Sequence, residues 1–279
     1  MNGFALGLVV AAAVVHAIWN FAAKRVGDGG APFVFLYYTV SALVFGPIAA
    51  ILAVFDHPQW TWLLAAVVTA VLHVAYGTVL QRGYAVGDLS VVYPLARGTG
   101  PLLSVLVAVL FLGEHPGWLG LVGALLVVVG VLVIGTGKAT PAGVFYGVLT
   151  GAVIAAYTLW DAHSVTALAV PPLIYFGAGS IGESLLLLPT ALRAKASVAA
   201  LWRAHRREVL AVGLLSPLGY LLVLYALQMA PVSLVAPARE VSIVLGGFVA
   251  WRLLGEAQAV RRLAGSLVVL AGIAAIAVA

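Results

Sequence analysis

Ten runs of about twenty apolar residues, each long enough to cross a bilayer as a helix, fill nearly the whole chain and restrict its fold more than any other feature. Read between the glycines, prolines and charges that punctuate them, the segments are Gly3 to Ala23, Ala31 to Phe55, Trp60 to Leu80, Ser90 to Leu112, Gly117 to Ile134, Gly143 to Trp160, Pro172 to Leu192, Val209 to Met229, Ser233 to Leu254, and Leu263 to Ala279. None shows the period-two alternation of an outer-membrane barrel strand, so each is read as a helix that satisfies its own backbone in lipid. The expected class is an all-α integral membrane protein with ten transmembrane helices. Only 8% of the residues are charged, against about 25% in a soluble domain, which excludes the soluble alternative. The first segment stands where a signal peptide would, but it has no basic leader and contains His16, Trp19 and Asn20, so it is read as a retained helix.

The few charges fall into two groups. Of the fourteen Lys and Arg, Arg97 and Arg239 lie inside segments 4 and 9; the other twelve lie in the connections after segments 1, 3, 5, 7 and 9. The connections on the opposite face hold none. The positive-inside rule makes the basic face cytoplasmic and puts both termini outside, on the periplasmic side of a bacterial-type inner membrane. The net charge of +5 is therefore a topology signal and implies no nucleic-acid partner. The basic stretch from Arg193 to Arg207 is expected on the cytoplasmic membrane surface, against anionic lipid. With no cysteine in the chain, disulfides, Cys-ligated metals and thiol catalysis are excluded, and no metal or cofactor is expected.

The two halves repeat each other. Segment 1 carries Gly3, Gly7 and Ala11, then Trp19-Asn20; segment 6 carries Gly143, Gly147 and Gly151, then Trp160-Asp161. Segment 4 reads Ser90, Pro94, Arg97 and ends in Leu112-Gly113-Glu114, while segment 9 reads Ser233, Pro237, Arg239 and ends in Leu254-Gly255-Glu256. Gly123 and Gly130 of segment 5 correspond to Gly265 and Gly272 of segment 10. Agreement in order divides the chain into residues 1–138 and 139–279, five segments each. Five is odd, so the second unit enters the membrane from the other side, and the repeats are inverted. Glu114 accordingly sits in a connection without Lys or Arg, and Glu256 in one beside Arg252, Arg261 and Arg262. Inverted repeats give secondary transporters two nearly equivalent states around a midplane site.

These motifs, a Pro and Arg in the fourth helix, a Leu-Gly-Glu ending and a glycine-spaced fifth helix in each repeat, resemble the drug/metabolite transporter superfamily, in particular its ten-helix EamA-like branch. The resemblance covers essentially the whole chain. It implies an alternating-access carrier, similar to bacterial exporters of aromatic and other amino acids. Many members of that branch carry an Arg early in helix 2 where this chain has Tyr37 and Tyr38, and members are often drawn with cytoplasmic termini.

Charge inside a bilayer costs about 2.5 to 3.5 kcal/mol per residue on insertion scales, so it faces protein or water. Arg97, Glu183, Arg239 and Glu240 qualify. Arg97 and Arg239 are candidates for a substrate carboxylate; Glu183 and Glu240 are candidates for an ammonium or a coupling proton. The alternative is a structural ion pair, Arg97 with Glu240, fixing the packing of segments 4 and 9. Pro94 and Pro237, at matching positions, are candidate hinges, although a proline kink equally serves to bend a helix round its neighbours. His16, Trp19 and Asn20 share one face of segment 1, and Tyr157, Trp160 and Asp161 the matching face of segment 6. His73 and Tyr76 in segment 3, with Ser216 and Tyr220 in segment 8, complete four walls of one expected substrate cavity. Trp19 and Trp160 also suit a membrane-interface belt, and His16 and His73 also suit core histidines bonded to a carbonyl. Trp60, Trp62, Trp118, Trp202 and Trp251 are read as belt residues, and segments 5 and 10 as peripheral or as a subunit contact, monomer and homodimer both being open.

Competing classes fit less of this pattern. There is no His-Glu-x-x-His helix and no Gly-x-Ser-x-Gly elbow for an intramembrane enzyme, Ala178-Gly179-Ser180-Ile181-Gly182 beginning with alanine. No ring of like charges marks a channel. The expected function is export of small zwitterions, most of all amino acids, because cationic, anionic and aromatic groups meet in one cavity. Cationic drugs or nucleotide-type metabolites are the alternative substrates.

Overall fold

The computed structural model describes residues 1–26, 29–135, 140–245 and 259–279, and almost all of them are helical. The helices are α1 (Gly3–Val26), α2 (Gly30–Asp56), α3 (Trp60–Val86), α4 (Leu89–Phe111), α5 (Gly117–Ile134), α6 (Pro141–Thr166), α7 (Pro172–Arg193), α8 (Lys195–Leu227), α9 (Val232–Ala238) and α10 (Ala259–Val278). Eight of them, α1 to α8, are long and apolar enough to cross a membrane. Local signals set the boundaries. Pro141 opens α6 at a position that needs no donor, and the Thr140 side chain accepts a hydrogen bond from Gly143 N at 3.0 Å, filling one of the first-turn vacancies.

Several segments depart from their expected extents, segment 3 running past Leu80 to Val86. Segment 6 continues past Trp160 to Thr166, which brings Asp161 inside the helix. The stretch after Arg193, expected as a connection, is the first part of α8; it bends at His205, whose φ of −130° leaves the helical region. Its Ala, Leu, Arg and Glu are good helix formers, and charge hides them only from a hydropathy reading. Segment 9 is interrupted. α9 ends at Ala238, Arg239 and Glu240 form a tight turn with Glu240 N donating to Pro237 O at 2.9 Å, and helix resumes over residues 241–245. Pro94, by contrast, lies within an unbroken α4, so the two matched prolines do not act alike. Expectations for Lys138, Trp251, Arg252 and Glu256 lie outside the described residues.

Packing follows the duplication in pairs. α5 lies along α10 through their glycines: a Cβ on Gly123 would stand 2.7 Å from Gly272 O, and one on Gly272 would stand 2.6 Å from Gly123 O. Such contacts need small residues, and membrane helices use them where no hydrophobic driving force is available. Leucines and valines on the other faces of both helices point outward, as expected of peripheral elements. In α6, Gly143, Gly147 and Gly151 lie against Gly87, Leu95 and Thr99 of the α4 region. The matching Gly3 and Gly7 of α1 meet nothing within 4 Å, so this ladder packs in only one repeat. Trp60 and Trp118 are exposed at helix ends as belt residues should be, and Trp202 is exposed too, but Trp62 packs against the core.

Buried apolar residues are distributed unevenly along the membrane normal. Near the ends of the helices that meet the even-numbered connections, one cluster joins both repeats, including Val9, Phe45, Ala65, Val165, Leu224 and Val235. Toward the opposite end, Leu36, Val40 and Val209 form a separate group between α2 and α8. Among the described residues, the molecule is thus tied together at one end and divided into groups at the other.

The connection after α4 adds a polar tie at the closed end. Gly113 takes a φ of +68°, turning the chain so that the Glu114 carboxylate faces α9. It accepts hydrogen bonds from Val232 N and Ser233 N, each at 2.9 Å, satisfying two first-turn donors of the other repeat. Glu114→Ala leaves both donors without this acceptor, and is expected to lower stability by about 2 kcal/mol, the scale of hydrogen bonds to a charged group. Thermal unfolding of the detergent-solubilised protein measures this; an unchanged midpoint would contradict it.

Candidate substrate cavity

Among the described residues, the ion pair that spans the most sequence joins equivalent positions of the two repeats. Pro94 and Pro237 stand 143 positions apart, and the same step carries Arg97 to Glu240 rather than to Arg239. These two mates form an ion pair, Arg97 Nε to Glu240 Oε2 at 2.9 Å, with Arg97 5% and Glu240 2% exposed. Arg97 also donates from Nη2 to Ser242 Oγ at 3.0 Å. The pair joins α4 of the first repeat to the interrupted helix of the second. Arg97 still lines the cavity, but its charge is already compensated, and Glu240 lies behind it.

The interruption after Pro237 separates the roles of two adjacent residues. Glu240 turns to Arg97, whereas Arg239 faces the cavity with its guanidinium carbon 5.7 Å from the centre of the Tyr220 ring. Arg239 Nη1 reaches Thr158 Oγ1 at 3.5 Å, a long contact, and among the described residues no carboxylate comes within ion-pair distance. A guanidinium over an aromatic face retains donors for a further partner.

A second polar centre occupies the region between α3, α6, α7 and α8. Asp161 is fully buried and accepts hydrogen bonds from Thr69 Oγ1 at 2.7 Å, from Tyr175 Oη at 2.5 Å and from Tyr220 Oη. His73 stacks on Tyr157, ring centres 4.4 Å apart, and is met edge-on by Tyr220. Its Nε2 lies 3.8 Å from Asp161 Oδ2 and its Nδ1 3.9 Å from Glu183 Oε1. Three elements of secondary structure thus place two carboxylates about one imidazole.

The cavity brings together most of the residues singled out from the sequence: His16, Trp19, His73, Tyr76, Arg97, Tyr157, Glu183, Tyr220 and Arg239 line it. Its walls run from Tyr175 and Val9, beside the shared apolar cluster, toward Trp19 and Tyr37 in the more divided half. His16 and Trp19 meet edge to face at 4.6 Å. Three members of the expected walls are absent, Asp161 being buried behind the lining. Asn20 lies beyond the lining, and Trp160 packs behind it, its indole donating to Ala65 O at 3.1 Å on α3. That contact makes Trp160 neither a cavity wall nor a membrane belt.

Asp161 is a buried acid that the sequence does not disclose as an intramembrane charge. It appears on the right helix face, but ending segment 6 at Trp160 removed it from the intramembrane charges. The available signal was the pairing of Trp160-Asp161 with Trp19-Asn20: a carboxylate stands where the first repeat needs only an amide. Thr69 and Tyr175, its other partners, carry no distinctive spacing. Among the described residues, no group of His, Asp and Glu has the arrangement of a metal site.

Inverted halves, an interrupted membrane helix and a polar cavity between them are the architecture of a membrane transporter. The model of the EamA-like transporter family matches residues 3–136, spanning α1 to α5, and again residues 141–278, spanning α6 to α10. The chain belongs to that family, and with it to the drug/metabolite transporter superfamily. It is also similar to a solved structure described as "Crystal structure of protein", at 17% identity and a TM-score of 0.75, covering 100% of this chain and 98% of that one. That likeness shows the fold. The search of curated proteins finds no match.

Because Arg97 and Glu240 are symmetry mates, exchanging them should be tolerated far better than removing either. Arg97→Ala or Glu240→Ala leaves a buried charge alone and should cost about 3 to 5 kcal/mol. The double variant Arg97→Glu, Glu240→Arg should recover most of the folded yield on size-exclusion chromatography; a yield no better than the single variants would contradict the pairing.

Proposed function

We propose that this transporter exports small zwitterionic metabolites, amino acids with aromatic side chains among them, across a bacterial-type inner membrane by alternating access. The observation that carries the reading is that, among the described residues, the Arg239 guanidinium has no carboxylate partner and lies in the same cavity as Glu183, whose Oε2 has no hydrogen-bond partner. An amino acid brings a carboxylate for the first and an ammonium for the second, and Tyr76, Tyr157 and Tyr220 offer ring faces to an aromatic side chain. Recognition of this kind is strict, because an analogue lacking either charge leaves a buried group unpaired.

A nucleotide-type substrate fits less well, since it needs several cations and Glu240 already occupies Arg97. A cationic amine is the stronger alternative: the two carboxylates around His73 supply its recognition without Arg239. Reconstitution into liposomes separates the two. Labelled L-phenylalanine should exchange in counterflow, and Arg239→Gln should reduce that exchange about 30- to 100-fold, equivalent to 2 to 3 kcal/mol of charge-assisted hydrogen bonding. Phenethylamine, which lacks the carboxylate, should be spared by the substitution. No counterflow of any amino acid in a labelled panel would overturn the zwitterion reading.

The twelve basic residues on one face support an orientation with the odd-numbered connections in the cytoplasm and both termini in the periplasm. The divided half of the structure, toward which the cavity runs, then faces the cytoplasm, where an exporter collects its substrate. A cysteine at Asn2, single in this cysteine-free chain, should react with an impermeant maleimide on intact spheroplasts. Labelling only after lysis would contradict this orientation.

A further inference from the structure

Among the described residues, Glu183 is the buried acid left without a compensating charge or hydroxyl donor. Asp161, its neighbour across His73, receives three hydroxyl donors, and Glu240 receives an arginine. Glu183 is 5% exposed and has neither; Oε1 lies 3.9 Å from the imidazole and Oε2 has no partner. An ionised carboxylate in such surroundings is expensive, since the interior supplies little of the stabilisation that water gives. A proton removes that cost, and so does a cation brought from outside.

The state of His73 follows from its neighbours. Nδ1 lies 3.0 Å from Thr69 O, which can only accept, and 3.0 Å from Thr69 Oγ1, whose own proton goes to Asp161. Nδ1 therefore carries a hydrogen, and Nε2 faces Asp161. Tyrosine hydroxyls enter the same cavity from α2 at Tyr37 and Tyr38, from α3 at Tyr76 and from α6 at Tyr157, while Tyr175 of α7 and Tyr220 of α8 bind Asp161. The remaining facing groups are His16 of α1, Arg97 of α4 with its charge cancelled by Glu240, and Arg239 next to α9. Arg239 meets the ring of the tyrosine that binds Asp161.

We propose that Glu183, with His73 and Asp161 as its immediate electrostatic partners, is a proton-binding site in exchange with the ammonium group of the substrate, so that the carrier is a proton antiporter. The proposal rests on the zwitterion reading for the identity of the ammonium, but not for the proton site itself. With the cavity empty, Glu183 holds one proton on its carboxyl group. When an ammonium enters, the O–H bond breaks, the proton leaves to water in the cavity and the ammonium becomes the counter-ion of the carboxylate. No covalent bond to the substrate forms. On the opposite side of the membrane, departure of the substrate restores the uncompensated carboxylate, which takes a proton from that side. Export of one ammonium is thereby tied to entry of one proton. Glu240 is excluded from this part by its ion pair.

Two measurements on the purified full chain test this. Infrared difference spectra of wild type against Glu183→Gln at neutral pH should contain the C=O stretch of one protonated carboxyl group; Glu183→Asp, the conservative variant, should retain such a band at a shifted position. In weakly buffered detergent solution with a pH-indicator dye, saturating phenethylamine or L-phenylalanine should release about one proton per bound molecule, and none from Glu183→Gln. Absence of the carboxyl band, or binding of either amine without proton release, would overturn the proposal. A band that is present while neither amine binds would uphold the proton site and overturn the zwitterion reading together with the exchange that rests on it.

Discussion

The ion pair between Arg97 and Glu240 is the interaction on which the rest of the site depends. Removing two charges from water costs more than a simple attraction returns unless the geometry is good and other groups contribute, and here Ser242 supplies a further contact to the guanidinium. What the pair provides is register. It joins equivalent positions of two inverted repeats, fixes α4 against the interrupted helix and uses up two charges that would otherwise compete for a ligand. The turn after Pro237 makes this arrangement possible by sending Glu240 toward Arg97 and Arg239 toward the cavity.

Duplication builds the frame, and departures from it build the chemistry. The first repeat has Asn20 where the second has Asp161, His16 where the second has Tyr157, and Arg97 where the second has Glu240. The first adds a negative charge and the third reverses one, while the second exchanges an imidazole for a phenol. The same asymmetry reaches the packing: the glycine ladder of α6 lies close against the α4 region, while its counterpart in α1 meets open space. The two halves thus share a frame but pack differently. Glu114 holds the α9 start at the end where the apolar cluster is continuous.

Much of this frame is legible in the sequence because membrane helices obey few and strong rules. Apolar length, basic connections and ordered glycine spacings give the helix sequence and the inverted halves without reference to contacts. Most of the cavity residues follow from polarity on a helix face, since a polar stripe inside lipid must turn inward. What the sequence does not disclose depends on boundaries and partners. Stopping segment 6 at Trp160 hides Asp161, although the helix runs on to Thr166; charge in the first part of α8 disguises a helix as a connection. Matching arginine to arginine obscures that Arg97 has Glu240 as its counterpart. Whether a proline bends or breaks its helix is settled by the neighbours, as the different fates of Pro94 and Pro237 show.

A structure of the protein with L-phenylalanine bound would test the account most directly. The account predicts density within the cavity, with the carboxylate on the Arg239 guanidinium, the ammonium on Glu183 and the ring among Tyr76, Tyr157 and Tyr220. Density outside the cavity, or a carboxylate that displaces Glu240 from Arg97 while Arg239 stays without a partner, would contradict it.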